Sequence, residues 1–283
     1  MPRMHLGCAG YSYDDWHGRF YPKELPPAER LAYYAERFSF VELNFSYYAM
    51  PKAAHLARMA EHVPEGFLFS IKAHASLTHK PDGEWLRRAE EFREAVCALG
   101  SQLAGVLLQF PYSFHYTREN RRYLAQLVDG LRGGRGDSRS SGGDAGGGGA
   151  TPGAAEMAPA LFVEFRNVEW ERDSVIAGMR KRGLHRVLVD TPNLPGLPTS
   201  FGGGEALPTD RLYLRLHGRN RENWWKGTNV SRYDYNYGSE ELSQLAGRIK
   251  KMETAELFVV FNNHANAQAP LNALRLLELV KVE

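Results

Sequence analysis

The sequence has little cysteine, almost no net charge and no long apolar run. Two cysteines, Cys8 and Cys97, occur in 283 residues. They are too few and too far apart for a disulfide scaffold or a cysteine-built zinc site, and they suit a reducing compartment, so a cytoplasmic location is expected. The 35 Lys and Arg residues nearly balance 33 Asp and Glu, for a formal charge of +2. That excludes a polyanion-coated or histone-like protein, although it leaves room for a local basic patch. No stretch of about 18 apolar residues exists, which excludes a membrane-spanning helix. The opening Met1-Pro2-Arg3-Met4 lacks a signal-peptide core. No internal repeat is visible. With 43% hydrophobic and 24% charged residues, wholesale disorder is also excluded.

What the sequence does have is a regular alternation of short apolar runs and amphipathic stretches. Strands are expected over Met4–Ala9, Phe40–Asn44, Phe67–Lys72, Leu103–Gln109, Leu161–Arg166, His185–Asp190, Leu212–His217 and Leu257–Asn262. Each is short and bounded by polar, Gly or Pro residues, as strands buried on both faces should be. Helices are expected between most of them, with Thr117 and Ser239 as capping residues and Gly100 and Gly183 as stops. Eight strands with helical crossovers point to an α/β fold, a single (β/α)8 TIM-type barrel spanning residues 1–283. The competing doubly wound sheet would carry a Gly-rich phosphate loop after its first strand, and Gly10-Tyr11-Ser12-Tyr13 is not one. Residues 133–153, between the fourth helix and fifth strand, hold 10 of the 28 glycines and no large apolar side chain. They read as a disordered Gly/Ser-rich insertion.

Barrel enzymes place their chemistry where strands end. The expected strand ends carry Glu42 with Asn44, Ser70 with Lys72, Gln109, Glu164 with Arg166, Asp190, Arg215 with His217, and Asn262-Asn263-His264. Side chains two apart on a strand share a face, so these pairs point one way, and the lumen is the face that tolerates charge. The catalytic candidates are Glu164, Glu42 and His217, with the carboxylates as general base and the imidazole as acid or orienting group. Arg215, Arg166, Lys72, Asn44, Asn263 and Asp190 are candidates for holding substrate, with Trp16 and Trp225 walling the mouth. The same charges also fit a buried ion-pair network filling the barrel top.

Glu42, Glu164, Asp190, His217 and His264 are metal-ligand types. No H-E-x-x-H or paired-histidine spacing accompanies them, and Arg166 and Arg215 on the same strands repel a cation, so a divalent metal is not favoured. No organic cofactor is indicated. The segment from Arg211 to Tyr237 holds six Lys and Arg against two acids, with Trp224, Trp225 and four tyrosines. Arginines there grip phosphate and aromatics stack on bases or sugars.

Several motifs resemble a known family. Gly7-Cys8-Ala9-Gly10-Tyr11-Ser12-Tyr13-Asp14-Asp15-Trp16, the Val41–Pro51 segment, Arg215-Leu216-His217-Gly218, the Tyr233–Tyr237 run and Phe261-Asn262-Asn263-His264 are similar to the domain of unknown function 72 family, also called YecE-like. The resemblance covers nearly the whole chain outside the Gly-rich insertion. It implies a TIM-type barrel and carries no reaction with it. Cys8 stands where relatives are expected to have a hydroxyl residue, which argues against its being a nucleophile.

Together these readings lead to an enzyme acting on a phosphorylated or other anionic substrate, a sugar phosphate or a nucleic-acid backbone, by general acid–base chemistry. A hydrolase, isomerase or lyase would fit. The alternative is a noncatalytic nucleic-acid binder using the loop after the seventh strand. Glycoside hydrolysis by Glu42 and Glu164 is weaker, because neighbouring arginines keep carboxylates ionised and leave no proton donor.

Overall fold

The computed structural model describes residues 2–133, 158–201 and 210–281. Apart from Gly133, the Gly-rich run lies outside the described residues. The eight strands form where the apolar runs place them: β1 Arg3–Cys8, β2 Phe40–Leu43, β3 Leu68–Lys72, β4 Leu103–Phe110, β5 Leu161–Phe165, β6 His185–Asp190, β7 Arg211–Leu216 and β8 Glu256–Phe261. All pair in parallel in one sheet of order β1-β8-β7-β6-β5-β4-β3-β2. The chain is therefore an α/β barrel of the TIM type. Longer helices at Ala53–Glu61, Trp85–Val96, Arg118–Leu131, Asp173–Lys181, Ser239–Lys250 and Gln268–Lys281 cover the outside. Among the described residues, no helix is long and apolar enough to cross a membrane.

The barrel closes between β1 and β2 through one parallel bridge, Ala9 to Glu42, and a Gly10 N–H bond to the Glu42 carbonyl. Below that point a side chain replaces the ladder. The buried Tyr34 hydroxyl, from helix Arg30–Ala35, accepts from Cys8 N–H at 2.7 Å and donates to Phe40 C=O at 3.0 Å. Gly7 lets the strands come this close, since a Cβ there would lie 1.9 Å from the Phe40 oxygen.

Inside the barrel, the two-residue repeat sorts side chains into layers. Phe40, Phe162, Tyr213 and Phe258 form an aromatic plug with ring centroids 4.7–6.0 Å apart. One step up the same strands come Glu42, Glu164 and Arg215. One further step brings Asn44, Arg166, His217 and Asn262 to the strand ends. Two short helices that the periodicity does not foreshadow, Phe45–Tyr48 and Ala75–Thr78, sit directly after β2 and β3.

Removing the seam hydroxyl tests this closure. Tyr34→Phe should cost about 1–3 kcal/mol in urea unfolding, because it orphans a buried N–H and a buried C=O. An unchanged unfolding midpoint would mean that the phenol does not hold the seam.

Candidate functional site

The polar layer above the aromatic plug is built around one side chain. Arg215, fully enclosed, donates from Nη1 to Glu164 Oε2 at 2.6 Å and from Nη2 to Glu42 Oε1 at 2.7 Å. It thereby ties β7 to β5 and β2 across the lumen. Arg166 Nε donates to the other Glu164 oxygen, and its Nη2 lies 3.3 Å from the Tyr233 hydroxyl. Ser70 and Tyr213 share a 2.7 Å hydroxyl contact, and Tyr213 donates to Glu42 Oε2 at 2.9 Å. Two carboxylates therefore neutralise two guanidiniums, and the plug below is wired into the same network.

Burial alone would raise the Glu164 carboxyl, but Arg166, Arg215 and His217 outweigh it and hold the group well below the usual carboxylate range. The His217 imidazole also shifts down, but there the shift favours the neutral form. Burial first, then Arg166, lowers its imidazole to about 3, so it is neutral at ordinary pH. Asn262 Nδ2 donates to His217 Nδ1 at 3.0 Å, which leaves the proton on Nε2, 3.4 Å from Glu164 Oε1.

Above the network lies a cavity of about 560 Å³ at the C-terminal mouth. Lys72, Arg166, Arg215 and Arg232 reach its surface, with Asn44, Gln109 and Asn262 among them. No Asp or Glu among the described residues lines it. Lys72 has no carboxylate partner among the described residues; its ammonium sits 4.3 Å from the Tyr47 ring centre. Burial, then Arg215 and Arg166, pull its amine down to about 7. His79, also on the wall, is lowered to about 4 by burial and by Lys72. Several polar atoms here are buried without a partner: Asn44 Oδ1, Arg215 Nε, His217 Nε2 and Arg232 Nε. Among the described residues, no three His, Cys, Asp or Glu side chains gather where they could hold a metal ion.

The structure thus brings Lys72, Asn44, Arg166, Arg215 and Trp225 to the cavity and puts Glu42, Glu164 and His217 just beneath it. Three candidates lie elsewhere. Val187 and Val189 face the lumen, so Asp190 faces the opposite side; it accepts from Arg219 Nε at 2.9 Å and from the Tyr237 hydroxyl at 2.7 Å. Asn263 likewise points away from the lumen face of Asn262, donating to Tyr235 O and Asn272 Oδ1 at 2.8 Å each. Trp16 is buried beside Phe20, and its Nε1 donates to His264 O at 2.8 Å; it braces the β8 turn from behind. Sequence reasoning missed Tyr213, although its place two residues before Arg215 is a usable signal. It also missed His79, Tyr47 and Tyr48, which the two unforeseen short helices deliver.

The network should show itself in acid. A depressed folded pKa stabilises the fold above the unfolded value of about 4.3 and loses that contribution as pH falls below it. Glu164→Gln should cost about 3–5 kcal/mol at neutral pH, because two buried guanidiniums lose a counter-charge. Urea unfolding should show the gap to the native chain shrinking at about pH 3.5, where the Glu164 carboxyl of the unfolded chain is largely protonated while the folded one stays ionised. An equal gap at both pH values would contradict the ionised pairing.

Comparison with known proteins fits this architecture. The family described as "Protein of unknown function DUF72" matches residues 5–283. The UPF0759 protein YunF of Bacillus subtilis (strain 168) is 27% identical over 300 residues, covering 99% of this chain and 95% of its own length. A DUF72 family protein from Thermotoga maritima, known from a crystal structure, is 31% identical, covers 99% of both chains and superposes with a TM-score of 0.82. One from Enterococcus faecalis V583 is 24% identical, over 100% of this chain and 99% of its own, with a TM-score of 0.73. SacUVDE, at 9% identity and a TM-score of 0.56, shares the fold alone. Motif, fold and relatives agree that this chain belongs to the DUF72 family.

Proposed function

We propose that the barrel mouth binds a small anionic substrate, foremost a phosphorylated one, and that Lys72 transfers the proton in its conversion. The observation that carries this reading is the cavity floor: cations reach its surface and the acids do not. Arg166 and Arg215 are balanced by Glu164 and Glu42 underneath. Lys72 and Arg232 are the surplus, without a carboxylate partner among the described residues. A substrate anion would supply the missing counter-charge in a partly desolvated space, where the attraction is strongest.

The roles shift accordingly from those the sequence suggests. Glu42 and Glu164 are enclosed and already accept from guanidiniums, so they serve as anchors that fix the cations. His217 is neutral and offers its Nε2 proton as a donor or orienting group. The group suited to taking and giving a proton near neutral pH is Lys72, with its amine at about 7. Asn44 and Asn262 would orient the substrate's polar atoms. The noncatalytic nucleic-acid alternative draws on the loop after β7, but Arg219 in that loop is committed to Asp190 and to Glu241. This lowers its free charge and favours the small-substrate reading.

Sulfate, fully ionised throughout, is a suitable probe. Its affinity measured calorimetrically should fall as pH rises through about 7, because Lys72 loses its charge while the guanidiniums keep theirs. Lys72→Met should flatten that dependence. When a panel of phosphorylated compounds is followed by phosphorus NMR, any conversion should drop about 100-fold or more in Lys72→Met. Sulfate binding that ignores both pH and the substitution would remove Lys72 from the site.

A further inference from the structure

Six large apolar side chains stand exposed among the described residues: Tyr48, Tyr112, Val168, Trp225, Val230 and Leu271. Four of them, Tyr48 (72% exposed), Tyr112 (40%), Trp225 (48%) and Val230 (56%), line the cationic cavity at the barrel mouth. Scattered exposed aromatics need no explanation, but a cluster around a concave site does. Each side of the mouth runs from a floor cation through one ring to a more exposed one. On one side the Lys72 ammonium sits 4.3 Å from the Tyr47 ring, and Tyr47 meets Tyr48 edge-on at 5.0 Å. On the other, Arg166 lies 5.7 Å from the Trp224 ring, and the next residue, Trp225, meets Tyr112 edge-on at 4.9 Å. Tyr48, Tyr112 and Trp225 keep 40–72% of their surface exposed at the rim, which is where a third planar group could pack.

We propose that the ligand of this mouth is bipartite: an anionic head seated on the floor and a flat aromatic ring stacked against the rim. This rests on the anionic reading of the floor and narrows it, since a sugar phosphate alone would leave the rim uncovered. The charge fixes depth, and stacking selects which anions are retained.

The test compares inorganic phosphate, glycerol 3-phosphate and phenyl phosphate by calorimetry on the full-length protein. Phenyl phosphate should bind about tenfold tighter than glycerol 3-phosphate. Trp225→Ala, a substitution at the exposed rim, should remove most of that advantage while leaving inorganic phosphate affinity unchanged. Tyr48→Ala on the opposite rim provides an independent second variant. If phenyl and glycerol phosphates bind equally, or the rim variants leave their ratio intact, the aromatic part is wrong while the anionic floor stands. If none of the three binds, the reading of the floor itself falls.

Discussion

A single guanidinium, that of Arg215, sets the terms for the upper half of this barrel. It reaches from β7 to Glu42 on β2 and to Glu164 on β5, at 2.7 and 2.6 Å. Charges this enclosed lose hydration worth several kcal/mol each, which only close pairing offsets. The pairing is therefore obligatory, and it fixes the spacing of three strands around the lumen. Tyr213 and Ser70 extend it downward to the aromatic plug, and Arg166 extends it upward to the cavity. The strand seam is held in a different way, by the Tyr34 hydroxyl standing in for missing ladder bonds.

The chemical character of the mouth follows from that arrangement. Because both central acids are spent beneath the floor, what remains facing the cavity is positive or neutral. Lys72 is left among like charges with a ring for company, and its amine moves to where it can exchange protons near neutral pH. The imidazoles move the opposite way from a useful titration: His217 and His79 are both neutral under ordinary conditions. In the proposed function a histidine at a strand end serves as a hydrogen-bond donor, and the proton chemistry passes to an amine. In the proposed reading the aromatic rim adds selectivity to a floor that by itself would accept many anions.

Much of this was legible in the residue order. Strands buried on both faces give short apolar runs, and all eight fall within a few residues of their expected positions. The i, i+2 pairs Glu42–Asn44, Glu164–Arg166 and Arg215–His217 do share the lumen face. Parity was the first thing that could not be read. In His-Arg-Val-Leu-Val-Asp every central residue is apolar, so nothing in the order reveals that Val189 rather than Asp190 points inward. Asn263 fails for the same reason, with its neighbour Asn262 taking the inner face. Depth was the second. Glu42 and Arg166 look equally suited to a mouth in sequence, but one step along a strand separates a fully enclosed anchor from a cation that reaches the cavity. Trp16 and Tyr34 make their contacts with chain segments far away in sequence or across the seam, and no local pattern announces these.

The central claim is that the floor of the mouth is an anion seat. Diffraction from crystals soaked in selenate tests it most directly. The account predicts a selenium anomalous peak in the mouth within hydrogen-bond reach of Lys72 and Arg166, lost in Lys72→Met crystals. Selenate bound only at outer surface cations, with the mouth holding none, would contradict it.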